Sequence, residues 1–206
     1  MARDEAPPFA RGETYYNGGT IDTNDLGGVN LEGKEFVFEP VQPGIPTTQT
    51  DPSGRPVRVK IVRNKSGQAL KPARLVKFKA ADPAESQVDG YCYAVGDRPA
   101  GVVDEYLPSA GVPDNDLFYI VIDGPTKVTQ THTSNSNLSI GDRLVPTAGG
   151  ASSATDDLAG RVLKQDLTGA TATLGNNIQN CIGIAGEANN TVDAVIKAVV
   201  HLVGRR

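Results

Sequence analysis

The residues able to do chemistry are few in this chain and poorly spaced for it. His132 and His201 are the only histidines, and Cys92 and Cys181 the only cysteines. Neither histidine has another His or Cys three or four positions away, the spacing that sets two ligands on one side of a metal. A Cys–His nucleophilic pair needs thiol and imidazole within hydrogen-bond reach, and nothing in the order of these residues brings them together. The expected roles are a small buried thiol and a surface imidazole. Asp156 and Asp157 are adjacent, but they fall in PTAGGASSATDD (146–157), which has no residue to anchor a core and reads as a mobile loop. No G-x-x-x-x-G-K-[ST] loop is present, and no G-x-G-x-x-G opens a predicted helix, so the usual backbone cradles for phosphate are missing. The expectation is a chain with no metal, no cofactor and no catalytic residue.

One stretch favours an enzyme. PAGVVDEYLPSAG (99–111) resembles the dUTPase motif in which a strand ends G-[VI]-[IV]-D-x-x-Y-x-G. In that family of trimeric all-β enzymes the Asp activates the attacking water and the Tyr packs on the deoxyribose. Gly101, Val102, Val103 and Asp104 match, whereas Tyr106 comes one residue early, which on an extended strand turns its ring to the opposite face. The family's Pro-Arg-Ser-Ser phosphate motif and Gly-rich C-terminal arm are absent. The resemblance implies nucleotide hydrolysis with Asp104 as base. A strand ending in Asp before a turn explains the same letters.

Composition narrows the class. Hydrophobic residues make up 38%, under the roughly 45–50% apolar share of ordinary domains, so one modest core is expected with much exposed or partner-dependent chain. The 23 Gly and 14 Pro favour turns over long helices. A formal net charge of -4 and a pI near 5.2 argue against nucleic acid, whose binders draw affinity from neutralising phosphates. The densest basic group, RVKIVRNK at 58–65, alternates with Val and Ile and reads as the wet face of a strand. MARDEAPPFARGE has no apolar signal-peptide core, and no run of about 18 apolar residues exists. The expectation is a soluble protein with no membrane segment, made in a cytoplasm, whose three N-x-S/T sequons, Asn64 and Asn137 among them, are chance matches.

Two regions differ along the chain. Residues 1–55 are dense in Gly, Pro, Thr and Asp, with one apolar alternation at Phe36 and Phe38. Such a stretch buries too little apolar surface to offset its ordering entropy, yet it holds Phe9, Tyr15, Tyr16, Phe36 and Phe38. It reads as an extended arm that orders against a partner, those five aromatics being the candidate contacts with that partner or with a second subunit; a tail, or strands folded back on the same chain, explains it as well. From residue 56 onward the pattern is β. VRVKIVRN, ARLVKFK, GYCYAVG, PAGVVDEYL, LFYIVI, KVTQTHT, IGDRLVP, GRVLKQDL, GATATLG and NCIGIAGEA are short strand candidates separated by Gly and Pro turns. LFYIVI suits a strand covered on both faces, with DGP the corner that ends it before the Thr-rich ladder. TVDAVIKAVVHLV (191–203) fits a helical stripe and a strand face; its Val and Ile content favours the strand, with Ala194, Ile196, Ala198, Val200 and Leu202 inward. The sum is an all-β or mainly β fold, a small barrel or sandwich.

Residues 57 onward also resemble the small β-rich decoration, or cement, proteins of tailed-bacteriophage capsids. VKIVRNKSGQALKPARLVKF is similar to their opening hairpin, AGVVDE to the next strand, VIDGPTKV followed by IGDRLVPTAGG to their glycine-punctuated succession, and CIGIAGEA to the closing strand pair. The resemblance implies a β-tulip domain (56–206) behind the arm (1–55), assembled as a homotrimer on the outside of the virion. It implies a non-enzymatic partner of the major capsid protein, made in the bacterial host, that stabilises the shell against packaged DNA. A glycan- or receptor-binding virion surface protein is the remaining reading, with 146–157 as the recognition loop.

Overall fold

The computed structural model describes residues 7–15, 31–39, 55–93, 97–131, 137–147, 153–155, 157–165, 181–191 and 193–202. Every regular element among them is a strand: β1 (Glu35–Phe38), β2 (Val57–Asn64), β3 (Leu75–Phe78), β4 (Gln87–Tyr91), β5 (Pro99–Val103), β6 (Leu117–Thr129), β7 (Arg143–Thr147), β8 (Arg161–Lys164), β9 (Gly183–Ala185) and β10 (Val195–His201). The all-β expectation is met. GATATLG, His132 and Tyr16 lie outside the described residues.

Strand pairing closes a ring. β2 runs parallel to β4, and the pairs β4–β3, β3–β5, β5–β6 and β6–β2 are antiparallel. Five strands thus return to their starting point, which removes the exposed edges of an open sheet. From β6 the sheet also continues through β10, β9, β7 and β8. A parallel bridge from Gln130, just after β6, to Val162 of β8 brings this second set back to the same strand.

β6 joins the two halves. At 13 residues it is about 40 Å long. Its first half pairs with β2 and its second with β10. Along LFYIVI, Leu117, Tyr119 and Val121 enter one core cluster while Phe118, Ile120 and Ile122 enter the other. That is the two-sided burial which a continuous apolar run requires.

The expected corner at DGP is not there: β6 runs through it. Gly124 adopts φ +102, and a Cβ there would stand 2.5 Å from the Pro56 carbonyl oxygen, so the strand passes Pro56 at a residue only glycine fits. Pro125 survives because of register. Leu202 N donates to Ile122 O at 2.8 Å, and Pro125 lies opposite Val199, in the alternate set of pairs that exchange no ladder bonds.

Of the basic group on β2 only Arg58 faces water as expected; the rest of the strand is not a wet face. Lys60 and Arg63 are 7% and 2% exposed. Lys60 Nζ lies 5.1 Å from the Phe78 ring centroid. Arg63 pairs with Glu32 and donates to Asn115 O at 2.6 Å. A strand inside a closed ring, with β1 packed on its first half, has little face left for water. Pro146 and Thr147, expected in a loop, end β7, and Ala154 accepts the Tyr91 N–H at 2.8 Å. β10 follows the predicted strand face, with Ile196, Ala198 and Val200 buried.

Candidate interaction site

The described part of the N-terminal region folds onto the β-domain. β1 pairs with β2, sending Phe36 and Phe38 into the core at 7% and 5% exposure, with Val37 outward. Phe38 meets Tyr119 edge-on, ring centroids 5.4 Å apart. These two candidate contact residues are thus placed inside their own chain.

Residues 7–15 form a separate clasp. Phe9 stacks on Tyr119 at 4.3 Å between centroids, and Tyr119 Oη donates to Phe9 O at 2.9 Å. Burial raises the Tyr119 phenol above its ordinary pKa, so the hydroxyl stays a donor. At the far end Tyr15 and Leu117 exchange both backbone bonds, at 2.9 and 3.0 Å, extending the ladder by one residue at the start of β6. Thr14 gives Asp116 a side-chain hydrogen bond.

Between these ends lies a buried ion pair. Asp104, directly after β5, is 1% exposed and Arg11 is 3% exposed. One Arg11 guanidinium nitrogen stands 2.7 Å from Asp104 Oδ1 and its Nε 3.1 Å from the same oxygen, while Gly12 N donates to Oδ2 at 2.8 Å. The guanidinium carbon lies 4.6 Å from the Tyr106 ring centroid, a favourable approach to the ring's negative face. Gly12 is required by geometry: its φ is +85, and a Cβ would meet Tyr106 O at 2.9 Å. Asp104, the residue that a catalytic motif would nominate as base, has both oxygens occupied by the clasp.

The other sequence candidates are dispersed. Cys92 and Cys181 are buried and form no disulfide; the Cys181 thiol donates to Gly183 O at 3.5 Å, and burial pushes the Cys92 thiol up. His201 Nδ1 contacts Asp123 Oδ1 at 2.7 Å on the surface. A cleft lined by Lys77, Asp82, Glu85, Asp97 and Arg98 has Lys77 paired with Asp97 at 3.2 Å and Arg98 with Glu85 at 3.0 Å. Among the described residues no group of three His, Cys, Asp or Glu side chains is placed to hold a metal, and no helix is long and apolar enough to cross a membrane.

Sequence reasoning selected Phe9 and Tyr15, which the structure brings to one clasp, and missed Arg11, Gly12 and the receiving residues Asp116, Leu117 and Tyr119. The available signal was the absence of any basic residue beside Asp104 in its own stretch.

No family model matches the chain, and no curated protein matches it. Among solved structures it is similar to the head fiber gp8.5 N base of bacteriophage phi29, with a TM-score of 0.39 and 13% identity over 69% of this chain and 92% of that one. It is also similar to a chain of the capsid of Myoviridae phage XM1, with a TM-score of 0.46 and 15% identity over 78% of this chain and 94% of that one.

Proposed function

We propose that this chain is a structural protein of a bacteriophage particle that binds the outside of the mature icosahedral capsid as a homotrimer. There it ties neighbouring major capsid subunits together and stabilises the shell. Support comes from the order of glycine and turn idioms from residue 57 onward, and from how the chain uses its one motif-nominated catalytic side chain. The carrying observation is the Arg11–Asp104 pair: a carboxylate that a nucleotide hydrolase would hold open to water instead anchors residues 7–15 at the Arg11–Gly12 turn. Rigid closed β-structure combined with a docked arm suits many-point attachment to a symmetric shell, and an acidic chain suits an outer surface away from DNA.

The test mixes purified protein with undecorated mature capsids and follows DNA release on heating. Binding with a raised release temperature is expected; no binding and no shift would overturn the proposal. Incubation with dUTP and magnesium completes the experiment, because turnover abolished by Asp104→Asn would replace the structural reading with the hydrolase.

A further inference from the structure

We propose that the outer face of β10, β9 and the adjoining parts of β6 and β7 is the surface that docks on the shell, and that it fits a protein surface carrying carboxylates around an apolar contact. The inference rests on the function proposed above and deepens it by naming the face and the chemistry of its partner.

β10 is buried on one side only. Ile196, Ala198 and Val200 enter the core, so Val195, Lys197, Val199 and His201 share the opposite face. Register carries that face across four strands. Pro125, Val199, Ile184 and Arg143 stand opposite one another in turn, a row about 14 Å long at the spacing of paired strands. Its first three members are apolar, where a sheet with one face in water ordinarily places polar side chains. Of the four large apolar side chains exposed among the described residues, Ile184 and Val195 lie on this face and Ile140 lies in the turn that leads into β7. An apolar patch with a charged rim marks a contact surface.

Charge identifies what covers it. Lys197 stands opposite Lys127, where like charges repel, and only Lys127 is offset, by Glu105 at 3.1 Å. Among the described residues no carboxylate pairs with Lys197 or with Arg143, the cation that ends the apolar row. The acids nearby are engaged elsewhere. Asp123 contacts His201 at 2.7 Å, Asp142 pairs with Lys164 at 3.0 Å, and Glu187 accepts the Lys197 backbone N–H at 2.8 Å. Two cations thus flank an apolar row and leave the carboxylates to the partner. A second copy meeting this face with its own same face would set cations against cations, so the surface that fits belongs to a different protein.

The experiment measures co-sedimentation with undecorated mature capsids at about 50 mM and about 500 mM salt. The chain carrying both Lys197→Glu and Arg143→Glu should bind about tenfold more weakly at the lower salt. Ile184→Ser should weaken binding at both, and Val37→Ser, on the outward side of β1, should leave it unchanged. These side chains are exposed, so thermal midpoints should hold; Lys197→Gln with Arg143→Gln is the milder pair if charge reversal disturbs the sheet. Binding by the unaltered chain that none of the substitutions on this face weakens would overturn the proposal and leave the proposed function standing. An unaltered chain that does not bind at all overturns that function, and the proposal with it. Sedimentation of the free protein completes the test: self-association lost on charge reversal would give the face to a second copy and overturn the carboxylate-bearing partner.

Discussion

Arg11 and Asp104 stand 93 positions apart and meet at 2.7 Å, both nearly inaccessible to water. Removing one member of such a pair strands the other, a loss of about 3–5 kcal/mol when the surroundings cannot relax. Here we expect relaxation by undocking of residues 7–15, which would let water reach Asp104. The cost of Arg11→Ala is therefore capped by the free energy that docks the clasp. The expected result is faster amide exchange at Tyr15 and Leu117 with little change in the global urea midpoint. Arg11→Lys keeps the charge but loses the planar fork and its packing on Tyr106, so exchange should be intermediate. The double variant Arg11→Ala, Asp104→Ala should lose less than the sum of the singles; strict additivity would show that the pair is not coupled.

Gly124→Ala is expected to be more damaging than its size suggests. The φ of +102 disfavours any side chain, and a Cβ would lie 2.5 Å from Pro56 O, a backbone atom with no rotamer to yield. A loss of roughly 1–3 kcal/mol is expected from the dihedral alone, with more from displacing the start of β2. Thermal unfolding measures it. An unchanged midpoint would mean that β6 does not need a glycine where it passes Pro56.

What was legible in the sequence follows from how local each signal is. LFYIVI announced a doubly covered strand because six consecutive apolar residues need apolar neighbours on both sides. The face of β10 was readable from alternation alone. DGP misled because Gly and Pro usually mark turns, and the reason this strand passes through them is Pro56, far upstream. Lys60 and Arg63 misled because alternation assumes one face in water, whereas the ring closes over them and Glu32 arrives from a region that reads as arm. The clasp was half visible. Its aromatics stood out by composition, but no periodicity links Arg11 to a carboxylate beyond β5.

Acid should act on named carboxylates in opposite directions. Asp82 accepts N–H bonds from Ala84 at 3.1 Å, Ser86 at 2.6 Å and Gln87 at 2.7 Å, and the Ser86 hydroxyl at 3.1 Å. Partial burial by itself raises its pKa, but these donors together outweigh it and hold the value below the ordinary carboxylate range. Asp142 is lowered likewise: burial raises it, and the Ser139 N–H and Lys164 outweigh that. Stability from both is present above the unfolded value, about 3.9, and is lost as pH falls through their lower folded values. Asp116 is raised by burial, with Thr14 and Arg63 opposing. Its contribution is present below the unfolded value and lost as pH rises through the folded one. A carboxyl-carbon NMR titration should find Asp82 and Asp142 titrating below Asp116. Asp82→Asn should lower stability at pH 7 and make little difference near pH 2; an equal loss at both would contradict this assignment.

Asn64 offers the sharpest test of how the turns hold the ring. It is fully buried, and its amide nitrogen contacts the carbonyl oxygens of Gln68, Val112 and Pro113 at 2.7, 2.9 and 3.0 Å. Its Oδ1 accepts from the Ser66 N–H at 3.0 Å and the Ser66 hydroxyl at 2.7 Å. One side chain thus ties the turn after β2 to the segment that leads into β6. Asn64→Ala removes the donor that these three carbonyls share, leaving them only Ser66 Oγ, Leu70 N and Asp116 N, strips the Ser66 N–H and hydroxyl of their acceptor, and should cost about 1–3 kcal/mol. Asn64→Asp is nearly the same shape but replaces the donor with a carboxylate oxygen facing those carbonyls, so it should cost more than Ala. Urea unfolding orders the two variants, and Asp milder than Ala would mean that the donor end of this side chain is not what holds the turn. The same geometry removes Asn64 as a glycan acceptor in the folded chain: the nitrogen that would carry the sugar has no exposed surface and is already engaged with the three carbonyls.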